Sequence, residues 1–354
     1  MKYFLALFSL LATTAIAGAP DSISGAGSSA AFPVYRTWAA EYAHAKQGQV
    51  AYDAIGSSGG IKKIRAREVD FGGSDVAPPP AELNKDGLVA LPTVISGVVP
   101  IYNLPGLKGT LILNGQALAR IFLGDITRWD AREIRELNPH LKLPAQAILP
   151  VVRADGSGTT YNFTDYLTKV SPAWHDLRGV NTKFTWPENF AAMPQSAGVV
   201  EKVLKTPYAI SYVDYNYVIE QKLSAAQMMN AEGRTISASP ESFRAALRVS
   251  EWQTKGDFSH TLTNQSGKES WPITMGTFVL LPKIAVRPEQ ALRTIHFFTW
   301  AFIHGDELAN RIYFVRLPDA VQGKAFRILA SITDRDGRSI AYETLKSIGK
   351  IASK

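Results

Sequence analysis

Four short segments of this chain combine glycine with small hydroxyl side chains. They are Gly25–Ala30, Gly56–Gly60, Gly72–Asp75 and Arg153–Thr160. We expect each to precede a helix, where free main-chain N–H groups carry partial positive charge and glycine lets a ligand approach the backbone. One such segment is also an ordinary helix N-cap. Four of them in one chain predict an anion-binding site, because hydroxyls add further donors.

Two charged residues make this prediction more specific. Arg153 follows the apolar run 148–152, so it should end a strand, where its guanidinium can hold an oxyanion bidentately and Asp155 can orient it. Asp75 places a carboxylate among anion-binding donors. Such an acceptor suits an anion that carries a proton, as hydrogen phosphate does and sulfate at neutral pH does not. The alternatives are a surface arginine and a helix N-cap.

Other chemistries are less well supported. The pattern Gly25-x-Gly27-x-x-Ala30, with Asp53 further on, matches a dinucleotide fingerprint. However, only a few residues separate the apolar N-terminus from these glycines, which leaves little room for the strand that must precede them. We therefore expect no dinucleotide cofactor.

The sequence also lacks the usual catalytic and metal-binding motifs. The six histidines show no metal-ligand spacing such as His-Glu-x-x-His, and there is no Gly-x-Ser-x-Gly elbow. Ser157 has no histidine near it in sequence, although a distant one stays open. We predict no catalytic residue, no metal and no cofactor.

The elements that must position these residues alternate between short apolar runs and helical stretches, the pattern of α/β architecture. The predicted strands are 50–55, 88–94, 98–103, 148–152, 209–213 and 277–281. Helical spacing relates Val34, Trp38 and Tyr42, and again Leu292, Ile295 and Phe302. No linker separates two halves, so two domains would be crossed by the chain more than once.

The first residues indicate export. Lys2, the apolar run 4–12 and Ala15-Ile16-Ala17 read as a signal peptide over residues 1–17, with a mature chain from Gly18 and a periplasmic location. The run is too short for a transmembrane span of about 20 residues. The chain has no cysteine, which excludes a thioether-linked lipid anchor and disulfides, so the fold depends on its core.

Length and charge set further bounds. Removing 17 of 354 residues leaves 337, enough for two domains. The formal charge is +7, and loss of Lys2 leaves +6. Because the basic residues are scattered without a run of five, we expect no nucleic-acid partner, only a mild preference for anions.

From about Gly25 to about Asp336 the sequence resembles the periplasmic phosphate-binding proteins of high-affinity phosphate ABC importers. The four segments carry the resemblance, together with Leu262-Thr-Asn-Gln265 and Trp271-Pro-Ile-Thr274. It implies a monomeric, non-enzymatic receptor that delivers inorganic phosphate to membrane permease subunits, a role linked to phosphate starvation. The implied fold is α/β, a two-lobed type II periplasmic-binding-protein fold. Each lobe is a mixed sheet flanked by helices, and two crossover segments join the lobes.

The resemblance also implies boundaries and site residues. Residues 18–97 and 277–354 would form lobe 1, and residues 98–276 lobe 2. Phosphate would lie dry in the cleft, bound by residues from both lobes. The implied phosphate-binding residues are Ser29, Ala30, Ser57, Asp75, Arg153, Ser157, Gly158 and Thr159. Asp75 would accept the phosphate proton, and Asp155 would brace a bidentate Arg153.

Three positions depart from the family pattern. Ser29 stands where the family usually has threonine, and Ala30 where it often has a bulky aromatic residue. The family's Gly-Lys-Gly-Asn stretch after a Trp-Pro pair is missing from 188–198, which follows Trp186-Pro187. The tail after Asp336 extends beyond the usual end.

Three alternatives remain beside the phosphate receptor. A secreted phosphatase could use the same cradle, an adhesion protein would show no saturable anion binding, and another receptor could take sulfate or molybdate. Asp75 argues against the last of these.

Overall fold

The computed structural model describes residues 22–342. The predicted signal peptide and the tail from residue 343 lie outside the described residues. The strands are β1 Ser22–Gly27, β2 Gln49–Ala54, β3 Phe71–Ser74, β4 Leu88–Tyr102, β5 Ile112–Leu113, β6 Leu149–Arg153, β7 Ala191–Met193, β8 Ala209–Asp214, β9 Ser224–Ala225, β10 Gln227–Met229, β11 Thr235–Ile236 and β12 Thr274–Pro282. The helices are α1 Phe32–His44, α2 Ser57–Arg65, α3 Pro80–Asp86, α4 Gly115–Leu123, α5 Arg132–Leu137, α6 Gly158–Val170, α7 Pro172–Leu177, α8 Gln195–Lys205, α9 Tyr215–Glu220, α10 Pro240–Val249, α11 Glu251–Thr254, α12 Pro288–His304, α13 Asp306–Arg311 and α14 Asp319–Ala330.

Within residues 22–342 the main sheet is mixed and has nine strands, in the order β2-β1-β3-β12-β4-β8-β6-β7, with β9 beside β4. Strands β1, β2 and β3 are parallel, as are β6, β7 and β8, whereas β12 and β4 run antiparallel to their neighbours. Strands β11, β10 and β5 form a small second sheet. This confirms the predicted mixed α/β architecture.

Strand β4 connects the two halves of the main sheet. It pairs with β12 from Leu88 to Gly97 and with β8 from Val98 to Tyr102. We call β2, β1, β3, β12 and β4 up to Gly97 the first half of the sheet, and the remaining strands the second half. The sequence predicted two strands here, 88–94 and 98–103, but the structure has one continuous strand.

Glycine at the crossing allows close packing without an unusual backbone conformation. Gly97 does not have positive φ. A Cβ atom on Gly97 would lie 2.2 Å from Cε1 of Phe243, and one on Gly276 would lie 2.1 Å from Cη2 of Trp252. Two aromatic rings therefore pack directly onto the backbones of β4 and β12.

Helices pack on both halves of the sheet, and buried aromatic side chains fill the space between helices and strands. In α1, Val34, Trp38 and Tyr42 face inward as their spacing predicted. In α12, Ile295 and Phe302 are buried, but Leu292 is exposed. In the second half, the Phe163 and Tyr212 rings stack at 4.0 Å. Across 22–342 no helix is both long and apolar enough to cross a bilayer.

The packing at Gly97 gives a testable consequence. Gly97→Ala should lower the free energy of unfolding by about 1–3 kcal/mol, because Phe243 must move to admit a methyl group. Denaturant titration measures this change.

Gly323→Ala in α14 is the matched control, because the nearest atom to its added Cβ lies 4.0 Å away. Alanine favours a helix, so this variant should keep its stability or gain up to about 1 kcal/mol. Equal stability changes in the two variants would contradict the packing argument.

Candidate anion-binding site

The four glycine- and serine-rich segments converge where the two halves of the sheet meet, and three of them lie just before a helix as predicted. Gly56 precedes α2, Ser157 caps α6, and Gly25–Ala30 runs from the end of β1 to the start of α1. The prediction was wrong for Gly72–Asp75, because Gly72–Ser74 lies in β3 and the next helix, α3, begins only at Pro80. Close packing accounts for this glycine, since a Cβ on Gly72 would lie 2.8 Å from Cγ2 of Ile64.

The strand β1 also corrects the argument against a dinucleotide fingerprint. A strand does precede Gly25 and Gly27, so the stated lack of room was wrong. The turn after β1 is nevertheless occupied by protein, because Ser28 N–H donates to Gly73 O at 2.9 Å and the Ser28 hydroxyl donates to Asp75.

Asp75 is the buried carboxyl group at the centre of the cluster, with 4% of its surface exposed. Its Oδ2 accepts from the hydroxyls of Ser28 at 2.6 Å and Ser57 at 3.5 Å, and Oδ1 accepts from Thr277 at 2.8 Å. Burial raises the pKa of Asp75, while these hydrogen bonds and the charge of Arg153 oppose the rise. The carboxyl group is therefore suited to sharing a proton with a bound anion.

Arg153, at the end of β6, supplies positive charge and is only 3% exposed. Nε and Nη2 donate to the two carboxylate oxygens of Asp155 at 2.8 and 2.5 Å. Burial alone would raise the pKa of Asp155, but the hydrogen bonds and charge of Arg153, together with main-chain hydrogen bonds that include Gln195 N–H, lower it overall. Asp155 thus occupies one edge of the guanidinium, and the edge formed by Nη1 and Nη2 can face an anion bidentately.

The start of α6 brings further donors. Ser157 accepts from Thr160 N–H as the helix cap. A Cβ on Gly158 would lie 2.4 Å from Ser57 Oγ and 2.7 Å from Asp75 Cβ, so only glycine allows α6 to approach this closely. The Thr159 hydroxyl is buried and has no hydrogen-bond partner among the described residues. A buried hydroxyl without a partner is costly, which indicates a donor reserved for a ligand.

Several contacts join segments from opposite halves of the sheet. Ser29 Oγ lies 2.9 Å from Ser196 Oγ, and the Tyr217 hydroxyl donates to Ser29 O at 2.9 Å. Asn162 Nδ2 donates to Asp75 O at 2.8 Å. These hydrogen bonds hold segments of the two halves in direct contact around Ser29 and Asp75.

The Ala30 amide differs from the arrangement implied by the family. Its N–H donates to Ser28 Oγ at 3.1 Å, within the turn that leads into α1. Its predicted role as a donor to the anion would require that hydrogen bond to be shared.

Sequence reasoning missed Ser28, Thr277, Ser196 and Asp214. The sequence did offer an indication for Ser28, because it belongs to the first glycine-rich segment, Gly25–Ala30. Thr277 is 202 residues from its partner Asp75, and Ser196 is 167 residues from its partner Ser29. No local sequence pattern can therefore predict these contacts. Asp214 caps α9 by accepting from Asn216 N–H, and burial raises its pKa to about 7.

One further group of side chains has metal-ligand spacing among the described residues. Ligand atoms of Glu251, Asp257 and His260 lie within 4.8 Å of one another. Lys255 Nζ already lies 3.0 Å from Glu251, which places a competing positive charge there. The absence of a bound metal stays a prediction.

Two half-sheets joined by long strands, with a polar site at the junction, define a two-lobed binding protein. A family model described as a PBP superfamily domain matches residues 12–273. The chain is 41% identical over 297 residues to "Phosphate-binding protein PstS" of Xylella fastidiosa strain Temecula1, covering 84% of this chain and 81% of that protein. For the Haemophilus influenzae protein of the same name the identity is 40%, covering 84% and 89%. The chain therefore belongs to the PBP superfamily and, within it, to the PstS family of phosphate-binding proteins.

Solved structures share the fold at low sequence identity. A phosphate-binding protein from Stenotrophomonas maltophilia superposes with a TM-score of 0.65 at 19% identity, covering 86% of this chain and 92% of that chain. A high affinity periplasmic phosphate-binding protein, PfluDING, bound with phosphate, gives 0.68 at 20% identity with the same coverage. These likenesses support the two-lobed fold.

Proposed function

We propose that this protein is a periplasmic receptor that binds inorganic phosphate between its lobes and delivers it to the permease subunits of an ABC importer. The observation that carries the proposal is Asp75, a buried acceptor among hydroxyl donors and beside Arg153. Relatives named as phosphate-binding proteins support it. A structural neighbour from Clostridium perfringens is described as a putative phosphate ABC transporter substrate-binding protein with bound phosphate, at a TM-score of 0.61.

The proposed phosphate site uses mostly uncharged donors. These are the hydroxyls of Ser29, Ser57, Ser157 and Thr159, the main-chain N–H groups of Ala30, Gly158 and Thr159, and the free edge of Arg153. Asp75 accepts the proton of hydrogen phosphate. Because the site is buried, a sulfate oxygen facing Asp75 would meet a carboxylate without any hydrogen between them, and such an unpaired contact is costly.

The lobe boundaries are part of the same proposal, with 18–97 and 277–354 forming lobe 1 and 98–276 forming lobe 2. The change in the pairing of β4 between Gly97 and Val98 supports the first crossing. Strand β12, which begins at Thr274, supports the second. Since Asp75 and Arg153 come from different lobes, phosphate should favour the closed state.

Calorimetric titration of the mature protein tests this function. Phosphate should bind with saturation at a 1:1 ratio and arsenate should compete, while sulfate should produce little heat. A chromogenic phosphate ester should not be hydrolysed, since the relatives are named as binding proteins. Equal affinity for sulfate and phosphate, or turnover of the ester, would contradict the proposal.

Arg153→Ala should weaken phosphate binding by about 10²–10⁴-fold, because it removes two hydrogen bonds between charged groups, each contributing about 1.5–3 kcal/mol. Arg153→Lys should restore only part, since an ammonium group cannot form the planar fork. The same titration measures both variants.

Arg128→Ala is the matched control. Arg128 also pairs with an aspartate two residues on, Asp130, at 2.9 Å, but on the surface. Its loss removes one positive charge and should leave the phosphate affinity nearly unchanged. Near-native affinity in Arg153→Ala would show that another residue holds the anion.

A further inference from the structure

Ser196 lies in the segment 188–198, where the sequence departs from the family pattern. The structure places it in the first turn of α8, with 1% of its surface exposed. Ser196 belongs to the second half of the sheet, yet its closest side-chain partner is Ser29 from the first half. The departing segment therefore contributes directly to the anion site.

Three contacts surround the Ser196 side chain. Ser196 N–H donates to Ser29 Oγ at 3.2 Å, and the two hydroxyl oxygens lie 2.9 Å apart. Arg153 Nη1 faces Ser196 Oγ at 3.5 Å. All three side chains are buried, so water does not compete for their hydrogen bonds.

The main-chain contact fixes one role of the Ser29 hydroxyl, because its oxygen accepts from Ser196 N–H. Between the two hydroxyl groups either oxygen can be the donor. When Ser196 donates, both lone pairs of Ser29 Oγ are used, and the Ser29 hydrogen is left for another acceptor such as a bound anion.

We infer that Ser196 is a positioning residue that sets the Ser29 hydroxyl as a donor to the bound anion, and that it does so only when the two lobes are closed. This inference depends on the proposed phosphate site. It assigns a role to the altered segment, because Ser196 links lobe closure to the orientation of a ligand-binding group on the opposite lobe.

The first N–H groups of α8 donate to residues of the anion site and not to a cap within the helix. Its N-cap residue, Pro194, supplies no side-chain hydrogen bond to the helix. Instead, Gln195 N–H donates to Asp155 Oδ1 at 2.9 Å, and Ser196 N–H donates to Ser29. Gln195 has a φ of 58°, a left-handed conformation that is uncommon outside glycine. The free N–H groups of α8 thus find their acceptors in the two residues that support and form the anion site.

A double-mutant cycle tests the inference. Phosphate affinity and dissociation rate are measured for the wild-type protein, Ser29→Ala, Ser196→Ala and the double variant. Ser196→Ala alone should weaken binding about tenfold, chiefly through faster dissociation, because the contact forms on closure. In the Ser29→Ala background the same change should cost less than about twofold, since its target is gone.

Two further variants separate positioning from a structural role. Ser196→Cys keeps the shape of the side chain with a weaker donor and should fall between serine and alanine. Ser171→Ala is the matched control, because Ser171 is equally buried and caps α7 by accepting from Trp174 N–H. It should lower thermal stability and leave phosphate affinity unchanged.

Equal fold-losses from Ser196→Ala in both backgrounds, or no loss in the wild-type background, would overturn the role of Ser196 while the phosphate site stands. Failure of the wild-type protein to bind phosphate would instead overturn the proposed function itself. Thermal unfolding of each variant verifies that it is folded before its affinity is compared.

Discussion

The burial of one carboxyl group, that of Asp75, is the constraint on which the rest of the site depends. Removing a carboxylate from water is costly, and the cost is offset only where donors surround it. Here the donors come from Ser28 in the β1–α1 turn, Ser57 at the start of α2 and Thr277 in β12. Three separate elements must therefore meet at the end of β3 before the carboxyl group can be buried.

Meeting at one point requires small residues, and one glycine from each half of the sheet allows this. Gly158 has no side chain where α6 approaches Ser57 and Asp75. Gly56 has a φ of 85°, and a Cβ there would lie 2.4 Å from Asp155 Oδ2. The same absence of side chains that brings the carboxyl groups and donors together leaves main-chain N–H groups free for an anion. Charge, burial and backbone access are thus consequences of one packing arrangement.

The sequence predicted the parts of this arrangement that have local patterns. The spacing of Val34, Trp38 and Tyr42 predicted α1, and apolar runs predicted β2, β6 and β8 close to their observed bounds. Arg153 and Asp155 could be paired because they are two residues apart. Their place in a phosphate site was implied by a family resemblance, and it stays a proposal.

What the sequence could not predict depends on contacts between distant segments. Nothing near Thr277 or Ser196 marks them as partners of Asp75 and Ser29, because the pairs form only after the chain has crossed between the two halves. The strand positions of Gly25 and Gly72 were missed for a related reason. Glycine before small hydroxyl residues suits both a helix start and a tightly packed strand, and the neighbours Phe71 and Ile64 decide between them.

The central claim is that Asp75 selects an anion carrying a proton, and titration of Asp75→Asn with phosphate and sulfate tests it most directly. A buried polar site can reject an analogue that leaves it unpaired by about 10⁴–10⁵-fold. An amide can donate to a sulfate oxygen, so the variant should lose most of the preference for phosphate while keeping its fold. If Asp75→Asn still rejects sulfate as strongly as the wild-type protein does, selectivity arises elsewhere and the account of this site is wrong.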